Sequence, residues 1–259
     1  MIVALHGFTG GGGDFAPLRE ALPEYSWVTP TLPGHSPNPA IAGVASDDCS
    51  VAASLRYLNS IIPEQSAEPI VLLGYSLGAR LALRYALSHP TRISALVLIA
   101  ASPGIGDAGE RQARQKEDNA LAQKILDDGV PAFLVEWQRR PIIATQAHLP
   151  AAWRSAMQQQ RHHLRAEGLA ASLRQFGQGA VLPIWDKLAE LSLPVLLCAG
   201  MEDEKYVEFA QAMHARILQS KILLIPEAGH LAHLENLPAF VAGLREFLQQ
   251  NGLPSASSM

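Results

Sequence analysis

The stretch Pro69-Ile70-Val71-Leu72-Leu73-Gly74-Tyr75-Ser76-Leu77-Gly78 decides the fold of this chain. Its apolar first half predicts a buried strand over 70–73, and the apolar spacing that follows predicts a helix over 79–88. A serine in a Gly-x-Ser-x-Gly turn between a strand and a helix is held in a strained backbone conformation that exposes its hydroxyl. The two glycines let the strand and the helix pass close together. Ser76 is therefore the candidate reactive residue.

Apolar runs and amphipathic stretches alternate on both sides of this turn. Continuous apolar runs are typical of parallel strands that are covered on both faces. The alternation therefore predicts an open α/β fold with a mostly parallel sheet of about six strands. The predicted strands are 2–5, 26–29, 70–73, 95–99, 195–199 and 221–225, and the predicted helices outside the break described next are 51–62, 79–88, 206–218 and 238–249.

Residues 104–185 break this alternation. They contain no strand pattern, and Pro141, Pro150 and Pro183 divide them into several helical stretches. We expect a helical cap here, inserted after the fourth strand, over a core formed by residues 1–103 and 186–252. Residues 253–259 are small and polar and predict a disordered tail. The predicted cap helices are 108–128, 131–138, 150–160 and 168–176.

The composition of the 259-residue chain excludes several classes of protein. A net charge of −4 gives no sign of nucleic-acid binding, and no apolar run is long enough to span a membrane. Cys49 and Cys198 have no C-x-x-C spacing, so we expect buried thiols in a reducing cytoplasm and no metal or redox site. The glycine run 10–13 lacks the Lys-Ser/Thr pair of a phosphate-binding loop, so no such loop is expected here.

A histidine base is needed to activate a serine hydroxyl. His230 follows the predicted strand 221–225, and active sites of parallel α/β sheets lie at the carboxyl ends of the strands. His233 is the nearest rival. His230 is favoured because it directly follows the glycine of that turn.

An acid should orient the histidine, and the segment after the preceding strand offers one. Asp203 lies just beyond 195–199, with Glu202 and Glu204 as rivals. In enzymes whose nucleophilic serine lies on a strand–turn–helix motif of this kind, the three residues follow in the order serine, acid, histidine. Ser76, Asp203 and His230 follow in the same order.

Backbone N–H groups could stabilise a developing oxyanion beside Ser76. His6-Gly7-Phe8 directly follows the first strand, and a turn there can direct the Phe8 N–H toward the serine. Together with the Leu77 N–H it would form an oxyanion hole. His6 itself is expected to be structural.

The motifs resemble those of the α/β-hydrolase superfamily. The matching residues are 6–8, 32–36, 74–78, Asp203 and 229–230. The resemblance implies an α/β-hydrolase fold. The strands that usually precede the His-Gly turn are absent, so the sheet should be shortened at its N-terminal edge.

A closer resemblance runs over nearly the whole chain, including the cap. It is to the 2-succinyl-6-hydroxy-2,4-cyclohexadiene-1-carboxylate synthase family of the menaquinone pathway (MenH). The matching segments are 74–80, 102–104, 110–115 with Asp118, 133–138 and 200–205. The resemblance implies elimination of pyruvate from 2-succinyl-5-enolpyruvyl-6-hydroxy-3-cyclohexene-1-carboxylate without a cofactor.

In that reaction Ser76, activated by His230 and Asp203, would act as a base on a carbon acid. The resemblance also implies that arginines hold the three carboxylates of an anionic small-molecule substrate, and that two aromatic residues line the pocket. The implied substrate-binding residues are Arg80, Arg114, Arg161, Tyr75 and Trp137.

Residue spacing supports one of these arginines independently. Arg80 lies one helical turn after Ser76 and therefore on the same helix face, where a guanidinium can bind a carboxylate near the serine. Segment 104–180 is also more basic than the rest of the chain, which favours an anionic ligand. For any one of these arginines, a solvated helix face is the favoured explanation.

Two alternatives stay open. A serine hydrolase of a small-molecule ester, thioester or carbon–carbon bond would use the same three residues and would form an acyl-enzyme. A ligand receptor on this fold would need no functional base. Dehalogenase or epoxide-hydrolase chemistry would require an aspartate at position 76 and is excluded.

Overall fold

A computed structural model describes residues 1–38, 40–41, 44–45, 47–64, 66 and 68–253 of the chain. Of the predicted tail, residues 254–259 lie outside this range. Leu253 is buried, and its N–H donates a hydrogen bond to the Leu248 carbonyl at 2.9 Å.

Six parallel strands form the central sheet, which confirms the predicted fold class. Their spatial order is β2-β1-β5-β6-β7-β8, and a separate antiparallel pair, β3 with β4, lies outside this sheet. The central strands are fully buried because helices cover both faces. The strands are β1 (Ile2–Leu5), β2 (Trp27–Val28), β3 (Ala40–Ile41), β4 (Val44–Ala45), β5 (Val71–Tyr75), β6 (Ala95–Ile99), β7 (Val195–Gly200) and β8 (Ser220–Ile225).

Ten helices surround and cover the sheet in the described part of the chain. None of them combines the length and the apolar character that a bilayer span requires. They are α1 (Ala16–Ala21), α2 (Val51–Ile61), α3 (Leu77–Ser88), α4 (Ala108–Trp137), α5 (Pro141–Ala144), α6 (Ala151–Arg161), α7 (Ala166–Phe176), α8 (Glu204–His214), α9 (Ala232–Glu235) and α10 (Leu237–Gln250).

Between β6 and β7, where every residue is described, the chain forms only helices and turns. α4 merges two predicted helices across a break at Gly129, whose φ of 79° lies in the left-handed region that favours glycine. α4 and α7 enclose a small apolar cluster of their own, which includes Ala122, Phe133 and Leu169.

The two ends of this insertion meet. The Ile184 N–H donates to the Pro103 carbonyl at 2.9 Å, and the Trp185 indole Nε1–H donates to the Gly104 carbonyl at 2.9 Å. The helical segment thus leaves and rejoins the sheet at one place, and its assignment as a cap with boundaries at 104 and 185 stays a prediction.

Candidate active site

Ser76 sits on a sharp turn between β5 and α3. Its φ of 52° and ψ of −106° are unusual for a residue with a side chain. Its N–H donates to the Ile99 carbonyl of β6 at 2.9 Å, and its carbonyl accepts the Arg80 N–H at 3.1 Å. A Cβ added at Gly78 would lie 2.2 Å from the Leu5 carbonyl oxygen, so this glycine is needed for α3 to approach β1.

The structure brings Ser76, His230 and Asp203 together. His230 Nε2 lies 3.0 Å from Ser76 Oγ, and His230 Nδ1 lies 2.6 Å from Asp203 Oδ2. Asp203 follows β7 and His230 follows β8, so three parallel strands deliver one residue each to the same sheet edge. In this arrangement Nδ1–H donates to the carboxylate, which leaves Nε2 free to accept the serine proton.

The rival residues lie elsewhere. His233 is fully buried and packs against Phe15 and Tyr75, and neither of its ring nitrogens has a hydrogen-bond partner within the described residues. Burial lowers the pKa of His233 to about 3, so its ring stays neutral. The side chains of Glu202 and Glu204 are exposed to solvent.

Phe8 and Leu77, the two predicted oxyanion donors, both border the same cavity as Ser76. The Gly7 carbonyl accepts the Gly10 N–H at 3.0 Å and lies 2.8 Å from His6 Nδ1. In a trans peptide the next N–H points the opposite way from the carbonyl. The Phe8 N–H is thereby directed away from these partners, and its role as an oxyanion donor stays a prediction.

His6 has the structural role that was expected. Its Nε2 accepts the Leu32 N–H at 2.9 Å, which fixes the tautomer with the proton on Nδ1 and ties the loop after β1 to the segment after β2. Burial lowers the pKa of His6 to about 3, so its ring is neutral.

A cavity of about 390 Å³ opens beside Ser76 and His230, between core and cap. Tyr75 and Trp137, two predicted pocket residues, both line it. Its charged lining is mostly basic, with Arg80, Arg114, Arg140 and Lys205 set against Glu117 and Asp118.

Arg80 is buried in the wall of this cavity. Its Nη2 donates to the Phe176 carbonyl at 3.0 Å, whereas its Nε has no partner among the described residues. Burial lowers the pKa of Arg80 to about 10, so the guanidinium stays charged at neutral pH. Arg114 also lines the cavity, but its Nε donates to Asp118 Oδ1 at 2.8 Å, which neutralises part of its charge.

The structure does not bring Arg161 to this cavity. Arg161 lines a smaller neighbouring cavity of about 120 Å³, and its Nη2 donates to Gln146 Oε1 at 3.1 Å. Burial lowers its pKa, and the nearby Asp14 carboxyl opposes that shift. Ile143 borders both cavities and separates them.

The sequence interpretation missed Arg140 and Lys205. The Cζ atom of Arg140 lies 4.9 Å from the centroid of the Trp137 ring, and Arg140 follows shortly after the end of α4. Lys205 follows Asp203 by two residues in the first turn of α8. Proximity to the predicted residues was the available signal, but only the packing of cap on core shows which of the many basic residues border the cavity.

Comparisons with known proteins agree with this fold. Residues 2–244 match the family described as "Alpha/beta hydrolase family". A putative 2-succinyl-6-hydroxy-2,4-cyclohexadiene-1-carboxylate synthase of Bacillus subtilis is 34% identical over 95% of this chain and 89% of its own. The synthase of Serratia proteamaculans is 27% identical over 97% of this chain and 94% of its own. The solved structure of MenH from S. aureus superposes with a TM-score of 0.89 at 30% identity, covering 97% of this chain and 94% of that one.

Proposed function

The chain belongs to the alpha/beta hydrolase family, and on that premise we propose that it is a 2-succinyl-6-hydroxy-2,4-cyclohexadiene-1-carboxylate synthase. It is a carbon–oxygen lyase of menaquinone biosynthesis, and its substrate is 2-succinyl-5-enolpyruvyl-6-hydroxy-3-cyclohexene-1-carboxylate. The relatives that carry this activity in their names match nearly the whole chain, cap included.

The observation that carries the proposal is the buried Arg80 beside Ser76. A buried guanidinium in the wall of the reaction cavity, whose hydrogen bond within the described residues goes to a neutral carbonyl, is costly unless an anion pairs with its charge. A carboxylate can accept bidentate hydrogen bonds from it. A hydrolase with an apolar acyl pocket has no such need.

The reaction needs a base, and Ser76 takes that role. Ser76 Oγ removes the proton from the ring carbon that bears the succinyl group, while His230 Nε2 accepts the serine proton. Asp203 stabilises the resulting imidazolium. The electron pair of the broken C–H bond forms a ring double bond, the existing double bond shifts by one position, and the carbon–oxygen bond to the enolpyruvyl group breaks. The expelled enolpyruvate takes up a proton and becomes pyruvate.

The Phe8 and Leu77 N–H groups stabilise the charge that develops on the succinyl ketone oxygen as this proton leaves. Arg80 and Arg114 hold carboxylates of the substrate, Tyr75 and Trp137 line the cavity around its ring, and Arg140 and Lys205 add positive charge to the exposed part of the lining. Arg161 binds a carboxylate only if the substrate reaches past Ile143. We place the enzyme in the cytoplasm, since its two cysteines are buried thiols, and assign it an anionic small-molecule substrate.

Pyruvate release from the enolpyruvyl precursor tests the proposal. The purified protein should release one pyruvate per diene formed, and Ser76→Ala should abolish this activity. Ser88→Ala, which changes an exposed serine in the last turn of α3, is the matched control. Pyruvate release that persists in Ser76→Ala would remove the serine from the mechanism.

A serine hydrolase is the second candidate, because the same Ser76–His230–Asp203 geometry suits acyl transfer. Absence of pyruvate release, combined with hydrolysis of p-nitrophenyl esters through a covalent Ser76 intermediate seen by mass spectrometry, would favour it.

A further inference from the structure

The carboxylate of Glu235, the last residue of α9, joins two distant parts of the chain. Its Oε2 accepts the Gly229 N–H at 2.5 Å, and its Oε1 accepts the Thr145 hydroxyl at 2.8 Å. Gly229 directly precedes His230, whereas Thr145 belongs to the cap. One part-buried carboxylate therefore connects the cap to the loop that carries His230.

The core holds this loop, residues 226–231, from two other directions. The Glu202 N–H donates to the Ala228 carbonyl at 2.9 Å, and the Asn236 side-chain Nδ2 donates to the Pro226 carbonyl at 2.9 Å. These contacts fix the first half of the loop. Glu235 holds the other side of the Ala228–Gly229 peptide, since the Gly229 N–H belongs to the same peptide group as the Ala228 carbonyl.

The cap end of the connection borders the reaction cavity. Thr145 directly follows α5, and Ile142 and Ile143 of α5 line the cavity. A Cβ added at Gly229 would lie 2.9 Å from Thr145 Oγ1, so this part of the cap rests on the loop itself. Any movement of α5 away from the cavity would separate the Thr145 hydroxyl from the Glu235 carboxylate.

We propose that Glu235 is a positioning residue. It couples the position of the cap, through Thr145, to the position of the backbone before His230. With Thr145 bonded, both carboxylate oxygens are fixed and Oε2 is presented to the Gly229 N–H. When the cap lifts, the carboxylate loses one of its two partners and the loop is held less firmly. The imidazole is then fully aligned with Ser76 only when the cap covers the substrate, and small misalignments of a base are costly in rate. This inference rests on the triad proposed above.

Hydrogen exchange at the Gly229 amide, measured in the substrate-free protein, tests the connection directly. Thr145→Val removes the hydroxyl and keeps the shape, so we expect exchange at Gly229 to accelerate about tenfold. Thr145→Ser keeps the hydroxyl and should restore the protection. Glu235→Gln keeps an acceptor for Gly229 and a donor for Thr145, so it should resemble the wild type more closely than Glu235→Ala. Thr91→Val, at an exposed threonine outside the site, is the matched control.

Turnover separates positioning from mere support of the fold. With the enolpyruvyl precursor, Thr145→Val should lower kcat about three- to tenfold and leave KM within about twofold. In a double-mutant cycle, Thr145→Val should have no further effect on kcat in the Glu235→Ala background, because the signal runs through Glu235. Additive losses, or unchanged Gly229 exchange in Thr145→Val, would overturn the proposal. A wild-type protein that releases no pyruvate would contradict the proposed function alone, since the exchange experiment needs no substrate.

Discussion

At Arg80 a positive charge is buried with part of its hydrogen-bonding capacity unused. Its neighbour Arg114 forms an ion pair with Asp118. The two exposed cations, Arg140 and Lys205, line the same cavity. The cations therefore differ in what they can contribute. A desolvated guanidinium gains much from a carboxylate partner, whereas an exposed one gains little and is screened by salt.

Arg80→Ala should reduce kcat/KM for the tricarboxylate by at least about 30-fold, because the substrate loses a charge-assisted hydrogen bond in a buried setting. Hydrolysis of a neutral p-nitrophenyl ester, measured with the same preparation, should fall by less than about threefold. Equal losses on both substrates would mean that Arg80 supports the fold of the site rather than binding carboxylate.

Arg140 and Arg139 form a matched pair for the outer lining. Both are exposed, but only Arg140 lines the cavity. Arg140→Ala should raise KM for the tricarboxylate about three- to tenfold at low ionic strength, and the effect should shrink at high salt. Arg139→Ala should leave KM unchanged. A similar rise in KM for the two variants would indicate a general field effect instead of a local contact.

The sequence alone was sufficient to predict those site residues that lie on local motifs. Ser76, Asp203 and His230 each follow a strand, so their meeting at one sheet edge follows from parallel topology alone. The positions of Arg161, Arg140 and Glu235 depend on how the cap helices pack on the core. No local pattern encodes that packing, and only the three-dimensional arrangement separates Arg161 from the main cavity.

Among the elements, α3 and β1 approach each other closely at Gly78, directly beside the site. α3 begins at Leu77, two residues earlier than its apolar spacing predicts, because the strained Ser76 directly precedes the helix. Sequence periodicity located the long helices and the buried strands, since their apolar faces are continuous. It missed the β3–β4 pair and the short helices α1, α5 and α9, which have too few residues to show a period.

Gly78→Ala should destabilise the protein by about 3 kcal/mol or more, because the new methyl group would meet the Leu5 backbone at 2.2 Å and neither element can shift easily. Urea unfolding measures the change. Gly106→Ala is the control, since a Cβ there would have no neighbour within 4 Å and should change stability by less than about 0.5 kcal/mol. Equal unfolding midpoints for the two variants would contradict this account of the turn.

For the molecule as a whole, buried ionisable groups set the response to acid. Burial lowers the pKa values of His6, His35 and His233 to about 3, 4 and 3, below the ordinary value of 6.5. Between about pH 6.5 and 4 the unfolded chain therefore binds more protons, and the free energy of unfolding falls as the pH falls. Burial raises the pKa of Asp14 to about 6. Between about pH 4 and 6 the folded chain therefore holds the extra proton at Asp14, which opposes the loss of stability caused by the histidines.

His233→Leu should reduce the slope of the free energy of unfolding against pH by about 1.4 kcal/mol per pH unit. This corresponds to one proton, because the variant has no imidazole at position 233 that becomes charged on unfolding. Urea unfolding at a series of pH values between about 4.5 and 6.5 gives the slope. The slope reports proton uptake and does not depend on how much the substitution itself alters stability. An unchanged slope would show that His233 is already protonated in the folded protein.

The two hydrogen bonds that join Pro103 to Ile184 and Gly104 to Trp185 close the cap segment upon itself at its base. We therefore expect a foreign lid whose ends lie equally close to be accepted at these two points. Exchange of this single segment would change the lining of the cavity while the strands that carry the serine, histidine and aspartate stay in place, but a new lid would need its own partner for the Glu235 carboxylate. The same junction offers protein engineers a defined place to build chimeras.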